Sequence, residues 1–96
     1  MTVTKTDQVL DFIYKNEGKL TTVEFRNECN FFMVSLNSLH IHTEEEDTIS
    51  ISDKKDDPEN LVKGKFPIIG FYGIKETDYE MEIEYTDGSK VLISVY

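Results

Sequence analysis

Cysteine, basic residues and long apolar runs are all scarce in this chain of 96 residues. The single cysteine, Cys29, has no second cysteine with which to form an internal disulfide, which is typical of proteins that fold in a reducing cytosol. No apolar run approaches the roughly 20 residues of a membrane span. The first seven residues also lack the apolar core of a secretory signal. We therefore expect a cytoplasmic protein that has no membrane partner.

The shortage of basic residues also limits the partners of the chain. Lysine and arginine number 10 against 19 acidic residues, which gives a formal net charge of −9. Nucleic acids and anionic membranes are bound by basic surfaces, so direct binding to either is not expected. Hydrophobic residues make up 39% of the chain, enough for one modest core. The length fits a single domain over residues 1–96.

Motifs of catalysis are missing as well. The sequence contains no Gly-x-Ser-x-Gly elbow, P-loop, dinucleotide fingerprint or paired-cysteine zinc motif. Nothing in the pattern places Cys29 beside a histidine base. We therefore expect a protein that is not an enzyme and that holds no cofactor.

His40 and His42 are the only histidines, and alternation along a predicted strand places them on one face with Glu44. Two imidazoles and a carboxylate can ligate a transition metal. The spacing His40-x-His42-x-x-x-Glu46 resembles the first metal-binding motif of cupins over seven residues, without its flanking glycines or a later histidine. The resemblance implies a small metal- or ligand-binding β-barrel. The alternative is a pair of histidines on the solvent-facing side of a strand.

The N-terminal segment has the pattern of one amphipathic helix. Thr4 followed by Asp7 resembles a capping box, and apolar residues recur at helical spacing over residues 9–14. Lys15 and then Gly18 are typical of a helix end. We predict a helix over about residues 5–17.

After Gly18 the apolar period changes to two, which indicates strands. The short polar breaks between strands favour antiparallel hairpins, whereas residues 53–65 form one long irregular stretch. Gly70 and Gly73 predict a bend or a bulge. The fold class is α+β, with the N-terminal helix packed on a curved antiparallel sheet or a small barrel of six to seven strands. The strands are expected at residues 22–26, 32–37, 39–42, 48–52, 66–74, 79–85 and 91–95.

The last hairpin gives the most specific structural prediction. A two-residue Asp87-Gly88 loop would place the apolar residues of one strand opposite polar residues of the other. A three-residue loop that includes Thr86 places apolar residues opposite each other. That register places Ile83 opposite Val91. On the same basis Met81 faces Ile93, Tyr79 faces Val95, and Glu84 meets Lys90 as a cross-strand charge pair.

The negative charge is concentrated in two zones. Residues 1–43 sum to −1, whereas residues 44–60 sum to −6, and every acid of residues 61–96 lies between Glu76 and Asp87. Such runs often only solubilise a protein or protect an edge strand. The alternative interpretation is that the two acidic zones form a partner-binding surface. Nearby aromatic residues would then serve as anchors (Phe71, Tyr72, Tyr79, Tyr85 and Tyr96). The acidic residues of this surface are Glu44, Glu45, Glu46, Asp47, Asp56, Asp57, Glu59, Glu76, Asp78, Glu80, Glu82 and Glu84.

Three functions fit these observations. The first is a small non-enzymatic protein that binds and inhibits a basic, nucleic-acid-binding protein through an acidic decoy surface. Small acidic α+β chains of this kind resemble phage-encoded inhibitors of host nucleases and defence systems. The second is a metal- or ligand-binding barrel that uses His40 and His42. The third is an immunity or antitoxin-like partner of a basic toxin.

Overall fold

The computed structural model describes residues 4–44, 47–53 and 62–96, and for residues 42–44 it describes the main chain only. In these ranges one helix is followed by strands that pair in two antiparallel sheets. The elements are α1 (Lys5–Lys15), β1 (Thr21–Arg26), β2 (Phe31–Leu36), β3 (His40–Glu44), β4 (Thr48–Ser52), β5 (Val62–Pro67), β6 (Phe71–Glu76), β7 (Glu80–Tyr85) and β8 (Lys90–Val95).

Helix α1 begins as its sequence predicts, because the Thr4 hydroxyl accepts a hydrogen bond of 3.0 Å from the main-chain N–H of Asp7. It ends two residues earlier than predicted. Asn16 is the C-terminal cap, and its side-chain amide donates to the carbonyl oxygen of Phe12 at 2.9 Å. This bond satisfies a carbonyl near the end of the helix and leaves Asn16 buried. Within the described residues, no helix is long and apolar enough to cross a membrane.

The α+β class and the antiparallel pairing are confirmed, but the strands are divided differently from the prediction. A five-stranded sheet has the order β2-β1-β8-β7-β6, and a three-stranded sheet has the order β3-β4-β5. The described strands therefore number eight in two sheets, where six to seven were expected in one curved sheet or barrel. The positions of β2 and β6 leave the larger sheet with two edges.

The extra strand arises because the predicted strand over residues 66–74 is interrupted. Its first part belongs to β5 and pairs with β4, whereas its second part belongs to β6 and pairs with β7. Gly70 has a φ of +75° at the corner between them, a conformation that favours glycine. A register shift between Phe71 and Gly73 adds the expected bulge. Residues 62–65, which were predicted to be irregular, lie in β5.

The β7–β8 hairpin confirms the predicted register. Ile83 lies opposite Val91, and the N–H of Tyr85 donates to the carbonyl oxygen of Ser89 across a three-residue loop. Gly88 has a φ of +91°, as a loop of this length requires. Met81 pairs with Ile93, as predicted. The N–H of Val95 donates to the carbonyl oxygen of Tyr79 in the expected register. The side chain of Tyr79 is nevertheless 70% exposed, whereas the prediction placed it on the covered apolar face.

The core lies between the two sheets and the helix. Gly64 of β5 marks their close approach, since a Cβ built there would lie 2.9 Å from Cζ of Phe25 on β1. The face of the five-stranded sheet that turns toward this core is called the inner face, and the opposite one the outer face. The buried hydrophobic residues are Val9, Phe12, Ile13, Val23, Leu36, Leu39, Ile49, Ile51, Phe66, Ile68, Met81, Ile83, Tyr85, Val91, Ile93 and Val95.

Candidate interaction surface

Three glutamates of β7 occupy the outer face of the five-stranded sheet. Met81 and Ile83 are fully buried on the inner face, so strand alternation turns Glu80, Glu82 and Glu84 outward. Successive members lie roughly 6.6–6.8 Å apart along the strand. We call these three residues the glutamate row. The structure thus brings together three of the acidic residues that the sequence proposed as a surface.

The glutamate row lies on an interior strand. β7 pairs with β6 on one side and with β8 on the other, so it has no free edge to protect. Charged residues on a sheet edge discourage aggregation, but this explanation does not apply to β7. Solubility remains one reason for these charges, and a binding surface is another.

Basic side chains lie beside part of the glutamate row. In the strand register Glu82 faces Lys75 of β6, and Glu84 faces Lys90 of β8. The ion pair itself is diagonal, because Nζ of Lys90 lies 3.9 Å from Oε1 of Glu82. The predicted Glu84–Lys90 register is therefore correct, while the resolved ion pair belongs to the neighbouring glutamate. Long side chains reach diagonal partners in antiparallel sheets.

The two ends of the glutamate row therefore differ in how many basic side chains lie nearby. Glu80 lies opposite Ser94 in the register and is exposed, so no base faces it across β8. Lys90 and Glu82 are each about 40% exposed, and a pair in such contact with solvent contributes little to stability. The negative potential of the outer face is therefore expected to be strongest toward Glu80 and Asp78, where Asp78 lies exposed in the β6–β7 turn.

A small depression lies next to the row on the outer face. Its volume is about 180 Å³, and it is lined by Glu24 and Arg26 of β1, Lys90 and Leu92 of β8, and Glu82 of β7. Arg26 pairs with Glu24 at 2.8 Å, so the charges at its rim are partly matched within the chain. Small-molecule pockets generally measure about 300–1,000 Å³. The depression is therefore better suited to a side chain of a docking partner than to an enclosed ligand.

Glu76, another of the predicted acidic residues, does not join the row. Glu76 faces Met81 and so lies on the inner side, where its Oε1 accepts from the amide of Gln8 on α1 at 3.3 Å. Asp47 is exposed before β4. Glu44 ends β3, but its side chain is outside the described set. Outside the described residues lie Glu45, Glu46, Asp56, Asp57 and Glu59.

The five aromatic residues proposed as anchors divide into two groups. Tyr72, Tyr79 and Tyr96 are 70–73% exposed and are available for contact. Phe71 and Tyr85 instead pack on each other with ring centroids 5.6 Å apart. These two residues are part of the fold and do not serve as surface anchors.

Tyr85 also links the two sheets. Its hydroxyl donates a hydrogen bond of 2.6 Å to the carbonyl oxygen of Pro67 on β5. Burial, with a smaller contribution from the charge of Asp87, raises the pKa of the Tyr85 hydroxyl above its ordinary value. The protonated form that donates this bond is thereby favoured. On the same loop, hydrogen bonds from the side chain and main chain of Ser89 lower the pKa of Asp87.

His40 is hydrogen-bonded within the fold. Nε2 of His40 lies 2.7 Å from the Ser38 hydroxyl, and Nδ1 lies 3.3 Å from a carboxylate oxygen of Glu17. These contacts fasten β3 to the segment after α1. The register of β3 shifts between Ile41 and Thr43. The side chain of His42 lies outside the described set, so the metal site that was predicted at His40 and His42 stays a prediction. Among the described residues no group of three potential ligands is close enough to hold a metal ion.

Cys29 is exposed in the turn between β1 and β2. The side-chain oxygen of Asn27 accepts hydrogen bonds from the N–H groups of Cys29 and Asn30, at 2.9 and 2.8 Å. This asparagine turn explains the position of the cysteine as part of a hairpin connection.

Sequence reasoning missed the neighbours of the glutamate row that come from other hairpins. Glu24, Arg26 and Leu92 reach it because β8 lies between β1 and β7, an order that alternation along one strand does not reveal. No family model, no curated protein and no solved structure matches the chain. The outer face offers exposed carboxylates, partly matched bases and one apolar side chain, Leu92, in the depression.

Proposed function

We propose that this protein binds a basic protein partner through the outer face of its five-stranded sheet and inhibits it by occupying its basic site. The observation that carries the proposal is the glutamate row on an interior strand, where edge protection cannot account for it. Like charges placed side by side repel one another, so the row costs some stability in the free protein. A partner with complementary charge would remove this cost.

The exposure of the outer face supports the proposal. Its side chains from β1, β8 and β7 are all exposed or partly exposed in the described residues. At the Glu80 end, Tyr96 and Leu20 are 73% and 49% exposed, and the Tyr96 N–H donates to the Leu20 carbonyl. Aromatic and aliphatic side chains next to a charged rim are typical of interface hot spots. The proposed contact therefore combines carboxylates with an apolar anchor.

Charge spacing indicates what kind of basic site would fit. Each strand of DNA carries a charge about every 3.4 Å, whereas the glutamate row has one about every 6.6–6.8 Å. The row thus reaches about half the charge density of a nucleic acid strand. It would therefore compete with nucleic acid through specific contacts with the partner protein as well as through charge. An immunity or antitoxin-like protein that binds a basic toxin would use the same charge complementarity.

The test compares two variants with equal changes in charge. One neutralises the row (Glu80→Gln, Glu82→Gln and Glu84→Gln). The control neutralises three exposed acids elsewhere (Asp11→Asn, Glu17→Gln and Glu28→Gln). Basic proteins captured by the wild type are identified and purified. Their binding is then measured across a salt series.

We expect the row variant to bind at least about tenfold more weakly and with a shallower dependence on salt, because rim charges govern association and its screening. The wild-type protein should also displace a DNA duplex from the purified partner, and the row variant should not. Equal losses of binding in the row variant and the control would show that only overall charge matters. That result would contradict the proposal.

A further inference from the structure

A serine, a histidine and a glutamate meet where the connection between β2 and β3 contacts the segment after α1. Oγ of Ser38 lies 2.7 Å from Nε2 of His40, and Nδ1 of the same ring lies 3.3 Å from Oε1 of Glu17. A hydroxyl, an imidazole and a carboxylate linked in this order have the arrangement of a catalytic triad. Triads are recognised by this geometry and not by sequence order, so the lack of a Gly-x-Ser-x-Gly elbow does not exclude one.

The carboxylate of Glu17 determines which nitrogen of His40 carries the proton. A charged carboxylate only accepts hydrogen bonds, so Nδ1 is the donor in its contact with Glu17. In the neutral ring Nε2 is then unprotonated and accepts a hydrogen bond from the Ser38 hydroxyl. In this tautomer Nε2 can take the hydroxyl proton, as a general base does.

Main-chain hydrogen bonds hold these side chains in place. The N–H of Gly18 donates to the carbonyl oxygen of Leu39 at 2.8 Å, and the N–H of Leu39 donates to the carbonyl oxygen of Lys19 at 3.0 Å. Leu39 lies between Ser38 and His40 in the sequence and is buried. The two bonds therefore fix the serine and the histidine beside the segment that carries the glutamate. Groups held in position in this way need little rearrangement before they react.

The site combines a largely covered base with an accessible nucleophile. The side chain of His40 is 14% exposed and that of Glu17 is 39% exposed, whereas Ser38 is partly exposed. A small substrate can therefore approach Ser38 from solvent while the protein covers most of the imidazole. Partial burial of the ring also strengthens its hydrogen bonds, because the local dielectric constant is lower than that of water.

We propose that Ser38, His40 and Glu17 form a catalytic site for the hydrolysis of esters. Oγ of Ser38 attacks the ester carbonyl carbon while Nε2 of His40 takes the hydroxyl proton. The bond from that carbon to the alcohol oxygen breaks, and the alcohol leaves with the proton from Nε2. Water then attacks the acyl-serine, its proton passes through Nε2 to Oγ, and a carboxylic acid is released. Ser38 and His40 are the catalytic residues, and Glu17 is a positioning residue that also stabilises the imidazolium.

Neighbouring charges indicate the class of ester. The N–H of Ser38 donates to Oδ1 of Asp53 at 3.1 Å, whereas in serine hydrolases the N–H of the nucleophile can bind the oxyanion. With this donor engaged the tetrahedral intermediate gains less stabilisation, which favours esters with a good leaving group over amides. The carboxylates of Asp53 and Glu17 also repel an anionic acyl group. We therefore expect substrates with an uncharged acyl group on a phenol-like alcohol.

The site shares no residue with the glutamate row and can be tested on the full chain without a partner. The substrate probe is p-nitrophenyl acetate, and the second probe is a fluorophosphonate, which reacts covalently with activated serines. We expect a burst of p-nitrophenolate as the acyl-serine forms. Mass spectrometry of proteolytic peptides should find the acetyl group and the phosphonyl group on Ser38.

Variants then separate the roles of the two catalytic residues. Ser38→Ala should abolish the burst, and His40→Gln should slow it at least about a hundredfold, because the general base is lost. The control, Ser35→Ala, changes a nearby exposed serine and should behave like the wild type. Circular dichroism melts confirm that the variants fold, and the fluorophosphonate label on the wild-type protein does not depend on any variant.

The charge of Glu17 is tested by Glu17→Gln, which keeps the size of the side chain. The acylation rate constant should fall at least about tenfold while the half-saturating substrate concentration stays unchanged, because the residue orients and charges the imidazole without touching the substrate. The inference is overturned if the fluorophosphonate leaves Ser38 of the wild type unlabelled, if Ser38→Ala retains the burst, or if Glu17→Gln leaves the acylation rate constant unchanged.

Discussion

The β1–β2 and β7–β8 hairpins belong to one sheet and have the same alternating pattern, yet they are buried very differently. Ile83 on β7 is fully buried, whereas Phe32 on β2 faces the same side of the sheet and is 55% exposed. The difference arises because β7 has a neighbouring strand on each side and β2 has only β1. Alternation therefore predicts which way a side chain points, whereas the strand order determines how well it is covered.

The two hairpins also reverse the usual distribution of charge. The interior strand β7 carries three glutamates on its outer face, and the edge strand β2 carries none. In most sheets charge is placed at the edge, where it prevents pairing. The outer face of β7 is therefore charged, whereas the edge at β2 is apolar.

The largest effect is expected from truncating the inner-face residues of the two hairpins. Ile83→Ala should lower the free energy of unfolding by about 2–5 kcal/mol, because it leaves a cavity in the core. Phe32→Ala should lower it by only about 1 kcal/mol, mainly through the lost ring contact with Phe25. Urea denaturation measures both. Equal losses would contradict the difference in burial.

The second prediction concerns the attachment of β7 to the smaller sheet. Tyr85→Phe removes the donor to the Pro67 carbonyl and should cost about 1–3 kcal/mol. Since burial raises the pKa of Tyr85, its contribution to stability is fully present below the unfolded pKa of about 10 and decreases as the pH rises beyond it. The variant should therefore lose less stability than the wild type in alkaline melts. Parallel curves above pH 10 would show that Tyr85 is not the responsible group.

The third prediction tests the loop that gives β7 and β8 their register. Gly88→Ala forces a side chain into a positive φ and should cost about 1–2 kcal/mol. Gly73 provides the control, because it has no positive φ and a Cβ there would meet nothing within 4 Å. Thermal melts should show a lower midpoint for Gly88→Ala and little change for Gly73→Ala. The reverse order would mean that the loop tolerates the substitution.

The smallest effect is expected on the outer face. Glu82→Ala should change the free energy of unfolding by no more than about 0.5 kcal/mol, because its ion pair with Lys90 is exposed to solvent. Glu80→Ala, which has no base opposite it, should change stability by a similarly small amount. A loss above 1 kcal/mol in either variant would make the glutamate row part of the fold instead of a surface for binding.

Local patterns predicted the parts of this fold that depend on local geometry. The helix cap at Thr4 and the hairpin register of Ile83 with Val91 were confirmed, because a turn and an apolar phase determine each within a few residues. The corner at Gly70 was not recognised as a change of sheet. Which sheet a strand joins depends on contacts between distant segments, such as the bond from Tyr85 to Pro67.

In the candidate site, too, the sequence predicted local features and missed those that depend on strand pairing. Alternation predicted that the glutamate row shares one face, and the burial pattern of β7 confirms it. It did not show that Glu76 lies on the opposite face, because the β6–β7 turn interrupts the alternation between Glu76 and Glu80. The sequence also did not show that Lys75 faces Glu82, because this position depends on how β6 and β7 pair across that turn.

The central place of β8 has a consequence for how the chain folds. β8 follows every other described strand in sequence, yet it lies between β1 and β7, and Thr21 pairs with Val95, 74 positions later. Such distant pairing slows folding, because the entropy cost of closing the long loop comes before the stabilising contacts form. During synthesis on the ribosome, the outer edges of both β1 and β2 stay unpaired until β8 has been made. That interval is when the apolar segment of β2 is most open to aggregation, and chaperones would matter most then.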